Sequence, residues 1–175
     1  TPERTPISED APIRSITPYG ASMAMSERIL EDAAAAHGVS FVTLRYFNVA
    51  GADPQGRAGE IGKPTHLIKA AAQIALGLRQ ESLQIYGGDY PTPDGSAIRD
   101  YVHVNDLAQA HMAALERVRG QGGAITLNCG YGRGYSVYEV VDAFRRVTGA
   151  EMPYEVGPRR AGDPPQLIAD NAAIR

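Results

Sequence analysis

Tyr19 and Met23 stand four residues apart at the head of an Ala-rich stretch, PYGASMAMSERIL. In a helix that spacing puts both side chains on one face. A tyrosine hydroxyl so placed can act as an acid or base toward a substrate hydroxyl. Arginines recur at two sites, Arg99 in IRDYVHVND and the pair Arg159-Arg160 in PRRAGD. A guanidinium donates in a fixed fork that suits a phosphate, although two adjacent arginines alone also fit a solvated face. Asn48 follows the aromatic pair Tyr46-Phe47 at the end of an apolar run, an unusual pairing for plain core. The four His and single Cys are scattered without metal-ligand spacing, so no metal site is expected. His103 reads as a satisfied structural histidine, Asp106 as support for a helix start and Lys63 as a surface charge.

These residues need elements to position them. Thr17 can cap a helix over 18–37, Pro18 suits its first turn and Gly38 stops it. The run VSFVTLRY predicts a strand over 39–46, buried on both faces as in a parallel sheet. A long loop is expected over 48–64, a helix over 66–78 and a short strand over 83–86, followed by the turn-rich GGDYPTPDG. A strand or bridge is expected over 98–103, a helix capped by Asn105 over 104–118 and a strand over 124–129. A helix capped by Ser136 and ended by Gly149 should cover 136–148. The last stretch, PYEVGPRRAGDPPQLIAD, reads mostly as loop, and 1–17 as a loop or linker. The alternation argues for an α/β fold.

Composition bounds the function. The chain has 175 residues, 43% of them apolar, enough for a full-sized domain or part of a larger one. A net charge of −3 predicts no attraction to nucleic acid or an anionic membrane. No apolar run is long enough to span a bilayer, and no signal peptide opens the chain. The lone Cys129 precludes an internal disulfide and fits a reducing cytoplasm. No GxGxxG or GxxGxxG turn occurs; GYGRG at 130–134 lies between a strand and a helix but lacks that spacing. The dinucleotide-binding half is therefore expected to be missing from these residues.

The motifs from Tyr19 to Asp170 together resemble the C-terminal half of the NAD-dependent UDP-glucose 4-epimerases, nucleotide-sugar enzymes of the extended short-chain dehydrogenase/reductase type. The most specific stretch is LQIYGGDYPTPDGSAIRDYVHVNDLA, whose inserted DYPTPDG turn is similar to the galactose epimerases in particular. The resemblance implies an α/β chain carrying the C-terminal strands and helices of a Rossmann-like parallel sheet plus a smaller α/β substrate-binding domain. Residues 18–60 would end the NAD-binding domain. Residues 61–175 would mainly bind the UDP-sugar, with some elements returning to the sheet.

It implies interconversion of UDP-glucose and UDP-galactose through a 4-keto intermediate, with NAD as cofactor and Tyr19 as the acid/base. Tyr19, Met23, Tyr46 and Phe47 would lie at the cofactor. Asn48, Arg99, Tyr101 and Arg160 would hold the sugar nucleotide, with Asp163 near the uridine ribose. Thr65, His66 and Leu67 belong to a loop covering the diphosphate, and Gln84, Ile85 and Tyr86 flank the uracil. Leu167 would line the pocket at the sugar's 2-position. A cytoplasmic homodimer is expected of the complete enzyme. The family has Lys where Met23 stands, supplying a charge that favours the phenolate and a bond to the nicotinamide ribose. With Met23, and without the Gly-rich turn, these residues alone are expected to be inactive. Two further readings stay open: a sugar-nucleotide dehydratase or decarboxylase of the same superfamily, and a non-catalytic UDP-sugar-binding module.

Overall fold

The computed structural model describes residues 2–60, 62 and 66–175. Helix α1 spans Pro18–His37 between the expected caps. The Thr17 hydroxyl accepts from the Gly20 N–H at 3.0 Å. Gly38 closes the helix at φ 68°, its N–H donating to the Ala34 carbonyl.

Strand β1, Phe41–Tyr46, starts two residues later than its sequence suggests and pairs in parallel with β5, Ala124–Cys129. Only Phe41 is buried along β1, and Tyr46 is exposed, so the expected burial on both faces does not hold. Among the described residues this sheet has just two strands. Helices α1 and α3, Val104–Gly120, are the helices packed on β1. The stretch expected as loop from 48 opens with β2, Asn48–Ala50, parallel to β4, Ile98–His103. The α3 cap is His103, not Asn105: its ring Nδ1 accepts from the Asn105 N–H at 3.2 Å.

Helix α2 covers Leu67–Ala75, and β3 covers Leu83–Tyr86. Strand β6, Gly134–Ser136, runs antiparallel to β4 and feeds helix α4, Val137–Thr148. Ser136 and Glu139 form a reciprocal capping box there, and Gly149 ends the helix in the left-handed region. The tail expected as loop contains two strands. These are β7, Tyr154–Gly157, parallel to β3, and β8, Gln166–Leu167, parallel to β4. Residues 2–17 run as loop and are fastened to the rest of the fold. Ile7 bridges Ala169, and the Asn128 side chain donates to the Ile7 carbonyl at 2.8 Å.

Two apolar cores hold the elements. Ala71, Ile74, Leu83, Ile85, Val141 and Met152 join α2, β3 and α4. Val102, Leu107 and Cys129 join β4, α3 and β5. Asp100 is fully buried and accepts from the N–H groups of Tyr131, Gly132 and Ala169, fastening two loops to β4.

Candidate functional site

The alternation of β3 decides what its edge can do. Leu83 and Ile85 turn inward to the α2–α4 core, while Gln84 and Tyr86 face out. The backbone alternates in the same way. The N–H groups of Leu83 and Gly87 donate to the Pro153 and Gly157 carbonyls beside β7, at 2.8 and 2.9 Å. Gln84 and Tyr86 therefore point their own N–H and C=O groups to the other edge, which pairs with no strand among the described residues. In chain order, that edge offers Gln84 N–H, Gln84 C=O, Tyr86 N–H and Tyr86 C=O, of which the first three run donor, acceptor, donor.

A cavity of about 250 Å³ lies at this edge. It gathers Asn48, His66, Leu67, Gln84, Ile85, Tyr86, Arg99, Tyr101, Arg160 and Asp163 from five separated segments. Arg99 is 8% exposed on β4; it donates to the Ile98 carbonyl at 2.8 Å and to Asp163 at 2.5 Å. Asp163 thus holds this guanidinium in place. Arg160 lies 3.9 Å over the Tyr86 ring, a cation–π contact at the strand's C-terminal end, and has no carboxylate partner among the described residues. Its neighbour Arg159 is spent on structure. It packs 4.5 Å over the Tyr90 ring and pairs with Asp89 at 2.6 Å, tying the 158–163 segment to the DYPTPDG turn. The tie holds the Asp89 carboxyl below the usual carboxylate range. Gly87, at φ 85°, admits this packing: a Cβ there would meet the Tyr90 ring at 2.5 Å. Burial pushes the Tyr101 hydroxyl up to about 12, so it lines the cavity as a neutral group.

A second cavity, of about 620 Å³, lies beside the first between α1, the 7–17 segment and the end of β1. Met23, Tyr46, Phe47 and Leu167 line it, and Asn48 lines both cavities. Arg45 and Glu27 form an ion pair at 2.6 Å in its wall. Tyr19 stands on the first turn of α1, 70% exposed, and lines neither cavity. The structure thus brings ten of the residues singled out in the sequence into one cavity and four others, Met23, Tyr46, Phe47 and Leu167, into its neighbour, with Asn48 shared by both. Thr65 and Lys63 lie outside the described residues.

The sequence reading missed Arg79 in the smaller cavity, a lone arginine in a polar connection that carries no signal of its own. It also missed Glu155, which holds the Gln84 amide across the β3–β7 pair at 2.8 Å. No group of three or more His, Cys, Asp or Glu among the described residues could hold a metal. No helix of the described residues is long and apolar enough to cross a membrane.

Residues 1–130 match the NAD dependent epimerase/dehydratase family. The chain is 57% identical over 175 residues to a UDP-glucose 4-epimerase of Azospirillum brasilense, covering 99% of this chain and 50% of that protein. The fold superposes on the UDP-glucose 4-epimerase of Brucella ovis in complex with NAD at a TM-score of 0.92, with 46% identity over 99% of this chain and 53% of that one. The Bifidobacterium longum UDP-glucose 4-epimerase, in complex with NAD+ and UDP, superposes at 0.92 with 41% identity, again over 99% of this chain and 52% of the other. The chain spans about half the length of the relatives it matches.

Proposed function

This chain belongs to the NAD dependent epimerase/dehydratase family, and from that premise we propose that it carries the UDP-sugar site of a UDP-glucose 4-epimerase. The observation that carries the reading is the free edge of β3. Its donor–acceptor–donor order complements the O4, N3–H and O2 of uracil, which run acceptor–donor–acceptor. Cytosine and adenine present other orders. Beyond Tyr86 the same cavity holds Arg99 and Arg160. Three arginines line it against the single carboxylate of Asp163, an excess of positive charge suited to a diphosphate. With the base on β3 and the diphosphate on Arg99 and Arg160, the sugar falls near Asn48, where the two cavities meet.

The larger cavity then receives the sugar and the nicotinamide end of NAD. Ala11, Ile16, Met23, Ala24 and Phe47 give it an apolar wall that fits a flat ring. No Gly-rich turn for the pyrophosphate of NAD occurs in these residues, so they fit that end of the cofactor alone. NAD, when bound, would take the hydrogen from sugar C4 and return it. Tyr19 would take the proton of the 4-hydroxyl and return it to the same oxygen when the hydride comes back to the other face of C4. That assignment requires the exposed first turn of α1 to meet the substrate. Holding the nucleotide firmly and the sugar loosely is what lets the ketone turn over between the two transfers.

A second reading is favoured by Met23. An apolar side chain one turn from Tyr19 suits a module that binds UDP-sugars without turning them over. The complete enzyme is proposed to be a cytoplasmic homodimer; the lone buried thiol Cys129 is in keeping with a reducing compartment. Calorimetric titration of the chain with UDP and UDP-glucose, followed by product analysis from UDP-galactose and NAD with these residues joined to an NAD-binding half, tests both readings. Binding with formation of UDP-glucose supports the epimerase, and binding without product supports the module. Absence of UDP binding would sink the site itself.

A further inference from the structure

We infer that Arg79 is a base-reading residue: its guanidinium donates to the 4-carbonyl of the nucleobase and so favours uracil over cytosine. The inference rests on the uridine diphosphate reading of the smaller cavity. Arg79 lies in the connection between α2 and β3, where its backbone N–H bonds the Gln73 carbonyl at 3.2 Å. Its side chain lines the cavity and is only 22% exposed. One end of the fork, Nη2, meets Glu81 at 3.1 Å, but Glu81 is itself 82% exposed. The Nε–H is buried and has no hydrogen-bond partner. Buried donors are nearly always satisfied, and this one is satisfied by an acceptor placed in the cavity.

Position along β3 says which acceptor. Arg79 precedes the strand, whereas Arg160 sits on Tyr86 at its far end. The strand rises roughly 3.3 Å per residue, so the two ends stand about 10 Å apart, too far for both arginines to share one phosphate. Arg99 and Arg160 take the diphosphate, which leaves Arg79 at the base. The ribose leaves uracil from N1, beside the 2-carbonyl. With the diphosphate drawn toward Arg160, O2 turns to the Tyr86 N–H and O4 to the Gln84 N–H and Arg79. In cytosine the 4-position is an amine. Its N–H groups would face the guanidinium N–H groups, donor against donor, and Arg79 would be left without its acceptor.

The test is calorimetric titration of UDP, uridine and CDP into the full chain and into its Arg79→Met, Arg79→Lys and Glu81→Gln variants, with a thermal melt of each. Arg79→Met should weaken UDP and uridine alike, by on the order of tenfold, and leave CDP nearly unchanged. Arg79→Lys keeps the charge but lacks Nε–H, and should lose the same preference; it decides the matter if the methionine variant does not fold. Glu81→Gln should keep the preference, because only the outer partner is changed. Equal losses for UDP and CDP would make Arg79 a structural residue and overturn the inference. A loss for UDP that uridine does not share would move Arg79 to the diphosphate and overturn it equally. If the unsubstituted chain binds no UDP, the site reading fails first and Arg79 falls with it.

Discussion

At the scale of single residues, Met23 and Leu167 face the larger cavity, and each sets a different property of it. Met23 supplies volume without charge. Glu27, one turn further on α1, is already engaged by Arg45 through both carboxylate oxygens. A lysine at 23 would therefore keep its charge for the cavity and for Tyr19. In the complete enzyme Met23→Lys should raise epimerase turnover by ~10²–10⁴-fold, the range of acid/base assistance, and leave UDP affinity unchanged because Arg99 and Arg160 are untouched. Steady-state rates beside calorimetry decide this; equal turnover by the two forms would remove the lysine's role. Leu167 lies on β8, whose backbone pairs with Arg99, so shortening its side chain leaves the sheet bonds in place. In the complete enzyme Leu167→Ala should open room at the sugar and raise kcat/KM for N-acetylated UDP-sugars relative to UDP-glucose by roughly tenfold. An unchanged ratio would place the 2-position elsewhere. The residues that sequence picks out best are those whose chemistry is narrow. A guanidinium in RDYVH or PRRAGD announces an anion, but nothing in LRQES separates Arg79 from an ordinary surface arginine, because burial alone gives it a task.

Among the elements, sequence was most legible where structure is made locally. Thr17, Gly38, Ser136 and Gly149 end their helices through bonds to residues three or four positions away, and both helices stop where those residues stand. Strands β7 and β8 were not legible: four and two residues long, they exist because β3 and β4 lie beside them in space. The expected burial of β1 failed for a related reason, since burial depends on what covers a strand and not on its own apolar side chains. The turn before β4 is tied to α4 through the Val137 N–H, shared by the Ser96 hydroxyl and the Ala97 carbonyl, and through the Ser136 hydroxyl. Ser136 accepts from the Glu139 N–H at 3.1 Å and donates to Asp94, which also accepts from the Ser96 N–H and hydroxyl. Burial acts to raise the Asp94 carboxyl, but the hydroxyls of Ser136 and Ser96 and the Ser96 N–H outweigh it and hold it below the usual range. A carboxylate with a depressed folded value stabilises above its unfolded value and loses that contribution as pH falls through the folded one. The melting temperature should therefore drop below about pH 4, and Asp94→Asn should flatten that drop while lowering stability at neutral pH. Ser136→Ala removes the cap as well as the tie and should cost about 1–2 kcal/mol by urea unfolding. Retained stability in that variant would show that the Ser136 hydroxyl is not what holds the turn to α4.

For the molecule as a whole, the assembly of the site was legible through motifs more than through physics. No periodicity in the sequence says that residues 48, 84, 99 and 160 meet. The resemblance grouped them, and the structure brings all four to one cavity beside the free edge of β3. The surface was less legible. Helix α1 has 20 residues and none of them is buried, although its face carries Met25 at 59% and Ile29 at 67% exposure, four residues apart. Helix α3 shows Met112 and Leu115 exposed in the same way. Apolar side chains scattered singly are ordinary on a protein surface, but a row along one helix face favours association. The chain is therefore expected to self-associate, with a sedimentation coefficient that rises with concentration. Ile29→Gln tests the surface without harming the fold, because a side chain so exposed leaves no cavity and its loss changes stability by no more than about 0.5 kcal/mol. The variant should sediment closer to a monomer at the same concentration, with an unchanged melt under dilute conditions. Identical sedimentation of the two forms would place any association on another face, and a parent chain that stays monomeric throughout would show that the exposed row on α1 is tolerated by water alone.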